Sequence, residues 1–158
     1  MPNFHHRAAL IGLGCLLFGA GCAPGAPAPD CGDLRVETPW VRLPPPGAPM
    51  QAAYFELHNP GNRQVIVSGV TSPDFKRVMM HETVDRDGQA TMVHLDELSV
   101  GPGERVALRP GGAHVMLSAP PEAPAPGDSV TFELKCGAAG EATHRFEASY
   151  RRGPPSAS

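Results

Sequence analysis

Helix signals, clustered charge, long apolar runs and spare cysteines are all scarce in this chain, and each scarcity closes off a class of protein. Aromatics are few and no run of residues keeps a heptad, which argues against a coiled coil. The formal net charge of −3 is mild and unclustered, so the basic stripe of a nucleic-acid binder is missing. No nucleophile–base pair, carboxylate dyad or phosphate loop argues for an enzyme. The apolar stretch 8–20 is shorter than the ~20 residues of a permanent membrane helix. What is abundant is proline and glycine, 19 and 18 residues, much of it gathered into tails and turns. At 158 residues the chain can bury one real core and is too short for two ordinary domains.

The first twenty-one residues have the shape of an export signal and stand outside the fold. Arg7 precedes the apolar stretch, and Gly19-Ala20-Gly21-Cys22 resembles a bacterial lipobox, with Gly19 standing where Leu is usual. Lipid attachment at Cys22 is expected, with cleavage by the general signal peptidase as the alternative. Residues 22–30 read as a Pro/Ala-rich tether, 31–150 as the domain and 151–158 as a disordered tail. Cys15 leaves with the signal and Cys22 goes to lipid, so Cys31 and Cys136 remain. In an oxidising compartment that even remainder reads as a disulfide; as thiolate ligands, neither has a Cys or His at ligand spacing.

Within the domain, short alternating strands stand between turn signals and predict an all-β sandwich or small barrel of roughly eight or nine strands. The main strands are expected at 52–59, 65–70, 75–83, 91–98, 105–109, 113–118, 130–136 and 143–150, with short stretches near 34–37 and 40–43. Asp85-Arg86-Asp87-Gly88 between two of them is a hairpin signal.

Four residues carry the chemistry. His81 is followed after ten residues by Met92, and after twenty-one more by His114 and, two on, Met116. Two imidazoles and two thioethers are soft or borderline uncharged donors, suited to Cu(I) rather than to hard cations. Residues two apart on a strand share a face, so His114 and Met116 project together. A four-residue hairpin loop sets His81 opposite Met92. A two-residue Asp87-Gly88 turn sets His81 opposite His94, with Met92 diagonal on the same face. A three-residue loop separates the two ligands. Met79 and His94 are further candidates, whereas His58 and His144 lack partner spacing and read as structural. Taken singly, a Met in a β-domain is core filler; the argument rests on the set.

The H-x10-M-x21-H-x-M spacing resembles the signature of the PCuAC (DUF461) periplasmic copper chaperones, matched without a gap. Trp40-Val41-Arg42, Ala52-Ala53-Tyr54-Phe55 and Asn59 resemble that family's opening, and Gly111-Gly112-Ala113-His114-Val115-Met116-Leu117 its closing segment. The resemblance covers about 34–134 and implies a cupredoxin-like Greek-key β-sandwich. It also implies a monomeric Cu(I) metallochaperone in the periplasm or cell envelope, held at the membrane by the lipid on Cys22. Its expected partner is a copper acceptor, the CuA subunit of cytochrome c oxidase or a Sco-like protein. A copper-buffering resistance protein would use the same ligands. A blue-copper electron carrier would need a Cys beside the His-x-Met strand, and none is there.

Overall fold

The computed structural model describes residues 30–118, 124–137 and 140–155. The export segment, Cys22 and most of the tether lie outside them, as do residues 156–158. The described residues form ten strands and no helix. They are β1 Arg35–Arg42, β2 Met50–His58, β3 Val65–Thr71, β4 Arg77–Arg86, β5 Gln89–His94, β6 Leu98–Val100, β7 Arg105–Leu108, β8 Ala113–Ser118, β9 Ser129–Cys136 and β10 Ala142–Arg151.

One continuous ladder connects them in the order β5-β4-β8-β2-β1-β10-β9-β3-β6. β8 pairs with the first half of β2 and β7 with the second. β2 to β3, β3 to β4, β5 to β6, β6 to β7 and β8 to β9 each cross between the two halves of that path. These are the interleaved connections of a Greek-key sandwich. The fold is all-β and cupredoxin-like.

Alternation explains which face turns inward. Ala53, Phe55 and Leu57 of β2 meet Val115 and Leu117 of β8, Val65 and Val67 of β3, and Val130, Phe132 and Leu134 of β9 in one buried cluster. Each fully buried Val, Leu or Phe contributes about 1.5–3 kcal/mol through apolar area removed from water. The Tyr150 hydroxyl donates to Oε1 of Gln51 at 2.6 Å, tying β10 to β2, and burial pushes its pKa up to about 12.

Several boundaries differ from expectation by a residue or more, and three of the differences bear on the fold. The two short strands at 34–37 and 40–43 are one strand, β1, interrupted between Glu37 and Trp40. Pro39 cannot donate to a ladder, and Thr38 takes φ 49°, so the chain bulges there and resumes. The strand expected at 91–98 ends at His94, and Leu98 opens β6 at the other end of the sheet, where Leu98 and Val100 face β3. At the C-terminal end, Arg151 pairs with Arg42 and extends β10 into what reads as tail.

Cys31 and Cys136 form a disulfide with Cα atoms 5.1 Å apart. Cys136 ends the penultimate strand, and Cys31 lies in the turn ahead of β1.

Candidate metal centre

The β4–β5 hairpin turns on two residues. Asp87 and Gly88 both have positive φ, 56° and 81°, the pattern of a type I′ turn whose twist matches the flanking strands. The Gly88 amide donates to Oδ1 of Asp85 at 2.8 Å and closes it. Arg86 then faces Gln89, Thr83 faces Met92, and His81 faces His94. Of the three registers open to the sequence, the structure adopts the one that makes Met92 diagonal to His81. On the other side of β4, His81 faces His114 and Met79 faces Met116. Met116 in turn faces Ala52 of β2.

Directly paired residues project from the same face of a sheet. Met79 and His81, Met92 and His94, and His114 and Met116 therefore form one patch on three adjacent strands. The intervening residues confirm the direction: Met80, Val115 and Leu117 are buried in the core behind it. All four residues of the sequence motif are thus brought to one outward face. Met79 and His94 join them, by registers the sequence left open. The Asp-Gly pair at the loop's end was the signal that could have chosen the two-residue turn, and with it His94, in advance.

Burial is graded across the patch. His114 is 8% exposed, His81 and Met116 are half-buried, and Met92 on the edge strand is 57% exposed. The His81 ring lies 6.1 Å from that of His114, nearly parallel, and 5.3 Å from that of His94, edge-on. His114 Nδ1 lies 2.9 Å from the Gly112 carbonyl oxygen, which requires the proton on Nδ1 and leaves Nε2 with a free lone pair. A ligating His holds its other nitrogen in this way. His81 Nδ1 is buried and has no hydrogen-bond partner. An orphaned buried nitrogen costs free energy unless something binds it. Burial first, then the His94 and His114 rings, lower the His81 pKa below 6.5, against a backbone contact with Met79 that raises it. The ring is therefore kept in the neutral form that a metal needs.

Two other residues border the motif or lie apart from it. Trp40 pairs with Tyr54 and packs on it with ring centroids 4.7 Å apart, and Tyr54 shares the outward face of Ala52, the partner of Met116, so the two rings flank the patch on its β2 side. His58 sits in a charged network with Glu37 and Arg105, whose guanidinium holds the Glu37 carboxyl below its usual range. Oxygen-rich or thiolate ligation has no counterpart in the patch.

A family model described as "Putative lipoprotein LpqE-like" matches residues 34–148, which span every element of the patch. The chain belongs to the LpqE-like family. A relative in Leifsonia xyli subsp. xyli, described as "Putative lipoprotein Lxx21020", is 34% identical over 112 residues, 70% of this chain and 66% of its own. The LpqE-like chain thus spans just under two thirds of that relative's length. Among solved structures, it resembles the copper-bound PCuAC domain from PmoF2 at 26% identity and a TM-score of 0.62. That match covers 77% of this chain and 95% of the other. The solution structure of CuI-DR1885 from Deinococcus radiodurans shares the fold at 24% identity and a TM-score of 0.58, over 74% and 78% of the two chains.

Proposed function

We propose that this LpqE-like chain is an extracytoplasmic Cu(I) carrier of the PCuAC type, with copper as cargo held by His81, Met92, His114 and Met116. The observation that carries the reading is the His81–His114 pair. Two imidazoles lie side by side on neighbouring strands, one with an orphaned buried nitrogen and the other with its tautomer fixed by Gly112. Met116 lies on the same strand as His114, and Met92 lies diagonal to His81. The uncharged, thioether-containing donor set favours Cu(I) over Cu(II) or zinc. The likeness to a copper-bound PCuAC domain supports the same assignment.

The geometry of access supports a carrier. Met92 is mostly exposed at the edge of the sheet, so an acceptor's own ligands can approach the ion as the thioether lets go. The recipient in this reading is a copper-accepting protein of the envelope, the CuA subunit of an oxidase or a Sco-like protein. The family description and the Leifsonia relative support a cell-envelope lipoprotein, with lipid on Cys22 as the anchor.

Competition with a Cu(I) chelator tests the ligand set. Cys15→Ser and Cys22→Ser in all samples remove thiols that would mask it. Met92→Leu with Met116→Leu nearly conserves volume, so the fold should survive. Cu(I) affinity should fall by at least about tenfold, the loss typical of disturbing a metal site's shell. An unchanged affinity refutes the assignment.

A further inference from the structure

Among the described residues, four Pro-Gly pairs turn the chain in the same way, at 45–48, 101–104, 109–112 and 125–128. In each, the amide of the fourth residue donates to the carbonyl of the first at 3.0–3.2 Å, and the glycine has φ between 71° and 94°. Proline cannot take positive φ, so each is a type II turn with Pro second and Gly third. The turn Arg109-Pro110-Gly111-Gly112 joins β7 to β8, and the Arg109 amide closes the corner on the Ala113 carbonyl at 2.8 Å.

This turn differs in what its last carbonyl does. A carbonyl oxygen has two lone pairs, and Gly112 has a donor for each. His114 Nδ1–H donates to it at 2.9 Å, and the Thr83 amide on β4 donates at 3.2 Å. Thr83 lies two residues beyond His81 and faces Met92 on β5. One oxygen therefore references three of the four proposed ligands, His114 directly and His81 and Met92 through Thr83.

Gly111 sets the place of that oxygen. A Cβ added to it would meet nothing within 4 Å, so space does not demand glycine there; the φ of 81° does. A residue that refuses positive φ favours a type I turn, whose third residue has φ of about −90°, and the chain entering Gly112 turns with it. His114 then loses the acceptor that keeps its proton on Nδ1, and the proton is free to move to Nε2, the nitrogen a metal needs.

We propose that Gly111 is a positioning residue of the copper site. It touches no copper; through the Gly112 carbonyl it keeps the His114 Nε2 lone pair free and the ring fixed beside His81. This rests on the Cu(I) carrier reading for the ligands and extends it to a residue outside the ligand set.

The test uses purified protein carrying Cys15→Ser and Cys22→Ser. Gly111→Val places a β-branched residue where positive φ is an outlier, and Gly111→Asn places one that tolerates it. Gly47→Val makes the same change in the matching turn between β1 and β2, where an added Cβ also meets nothing within 4 Å. Both valine variants should lower Tm similarly, by roughly 2–8 °C. Only Gly111→Val should weaken Cu(I) in chelator competition, by about tenfold or more, and Gly111→Asn should return affinity to within about threefold of the parent. Long-range nitrogen-15 NMR of the metal-free proteins should find the His114 proton on Nδ1 in all but Gly111→Val, where it shifts toward Nε2. An unchanged tautomer or an unchanged Cu(I) affinity in Gly111→Val overturns the proposal. An equal affinity loss in Gly47→Val, or no recovery in Gly111→Asn, overturns it as well. If Gly111→Val does not fold, Gly111→Ala, with the smaller strain, takes its place in each comparison. Failure of the carrier reading shows separately, as unchanged Cu(I) affinity in the Met92→Leu, Met116→Leu protein.

Discussion

His81 lies at the middle of the patch, and its lowered pKa links protons and folding at a single ring, one of the proposed copper ligands. Burial lowers its proton affinity most, and the His94 and His114 rings add to the effect. Between its folded pKa and 6.5, the unfolded chain binds a proton that the folded ring refuses. Stability therefore rises with pH through that window, and the His81 contribution is lost as pH falls through the folded value. Copper competes for the same neutral ring, so binding should oppose the loss. Thermal melts of metal-free protein from about pH 7 to about pH 5 should show a falling Tm, with a shallower slope in His81→Gln. Cu(I) should restore part of the Tm at the acid end in the parent and not in the variant. Identical slopes in the two proteins would place the pH dependence on groups other than His81.

The β4–β5 hairpin is the element that delivers the edge donors. Its turn needs a left-handed residue at Gly88, where φ is 81° and an added Cβ would meet nothing within 4 Å. The cost of Gly88→Ala is therefore backbone strain alone, about 1–2 kcal/mol. Tm should drop by roughly 2–8 °C, and Cu(I) affinity should weaken less than in a ligand variant, because the strand pairing still favours the same register. Gly153→Ala, equally open but with no left-handed backbone to hold, is the control and should leave Tm unchanged. A Gly88→Ala Tm matching the parent would mean that the turn accepts another type and does not fix the register. Strand positions on β4, β5 and β8 were legible because hydrophobic alternation has period two and the loops carry strong turn residues. The choice among three hairpin registers was not legible from alternation, since two of them keep His81 and Met92 on one face. The long strand read at 91–98 failed for a related reason. Leu95, Leu98 and Val100 are apolar throughout, and only tertiary pairing with β3 shows that the chain has left one end of the sheet for the other.

At the scale of the whole molecule, the proposed copper site and the disulfide sit in different parts of the ladder. The patch occupies β5, β4 and β8, while the disulfide joins the turn before β1 to the end of β9, four strands beyond β8 along the path. Elimination among four cysteines was enough to propose that bridge, because the expected export cleavage and lipid attachment would take the other two. The bridge spans a sequence separation of 105, for which chain-entropy estimates give roughly 4–5 kcal/mol. Both sulfurs are in buried residues, so Ala is a better replacement than Ser, which would leave a hydroxyl without a partner. Cys31→Ala with Cys136→Ala should lower Tm by about 10 °C or more. Distant sites without shared partners contribute additively, so Cu(I) affinity measured well below the new Tm should stay within about threefold of the parent. Free-thiol titration of the denatured, unreduced Cys15→Ser, Cys22→Ser protein should find no reactive thiol. Two reactive thiols, or copper affinity lost together with the bridge, would assign the cysteines to the metal site and return the blue-copper reading to consideration.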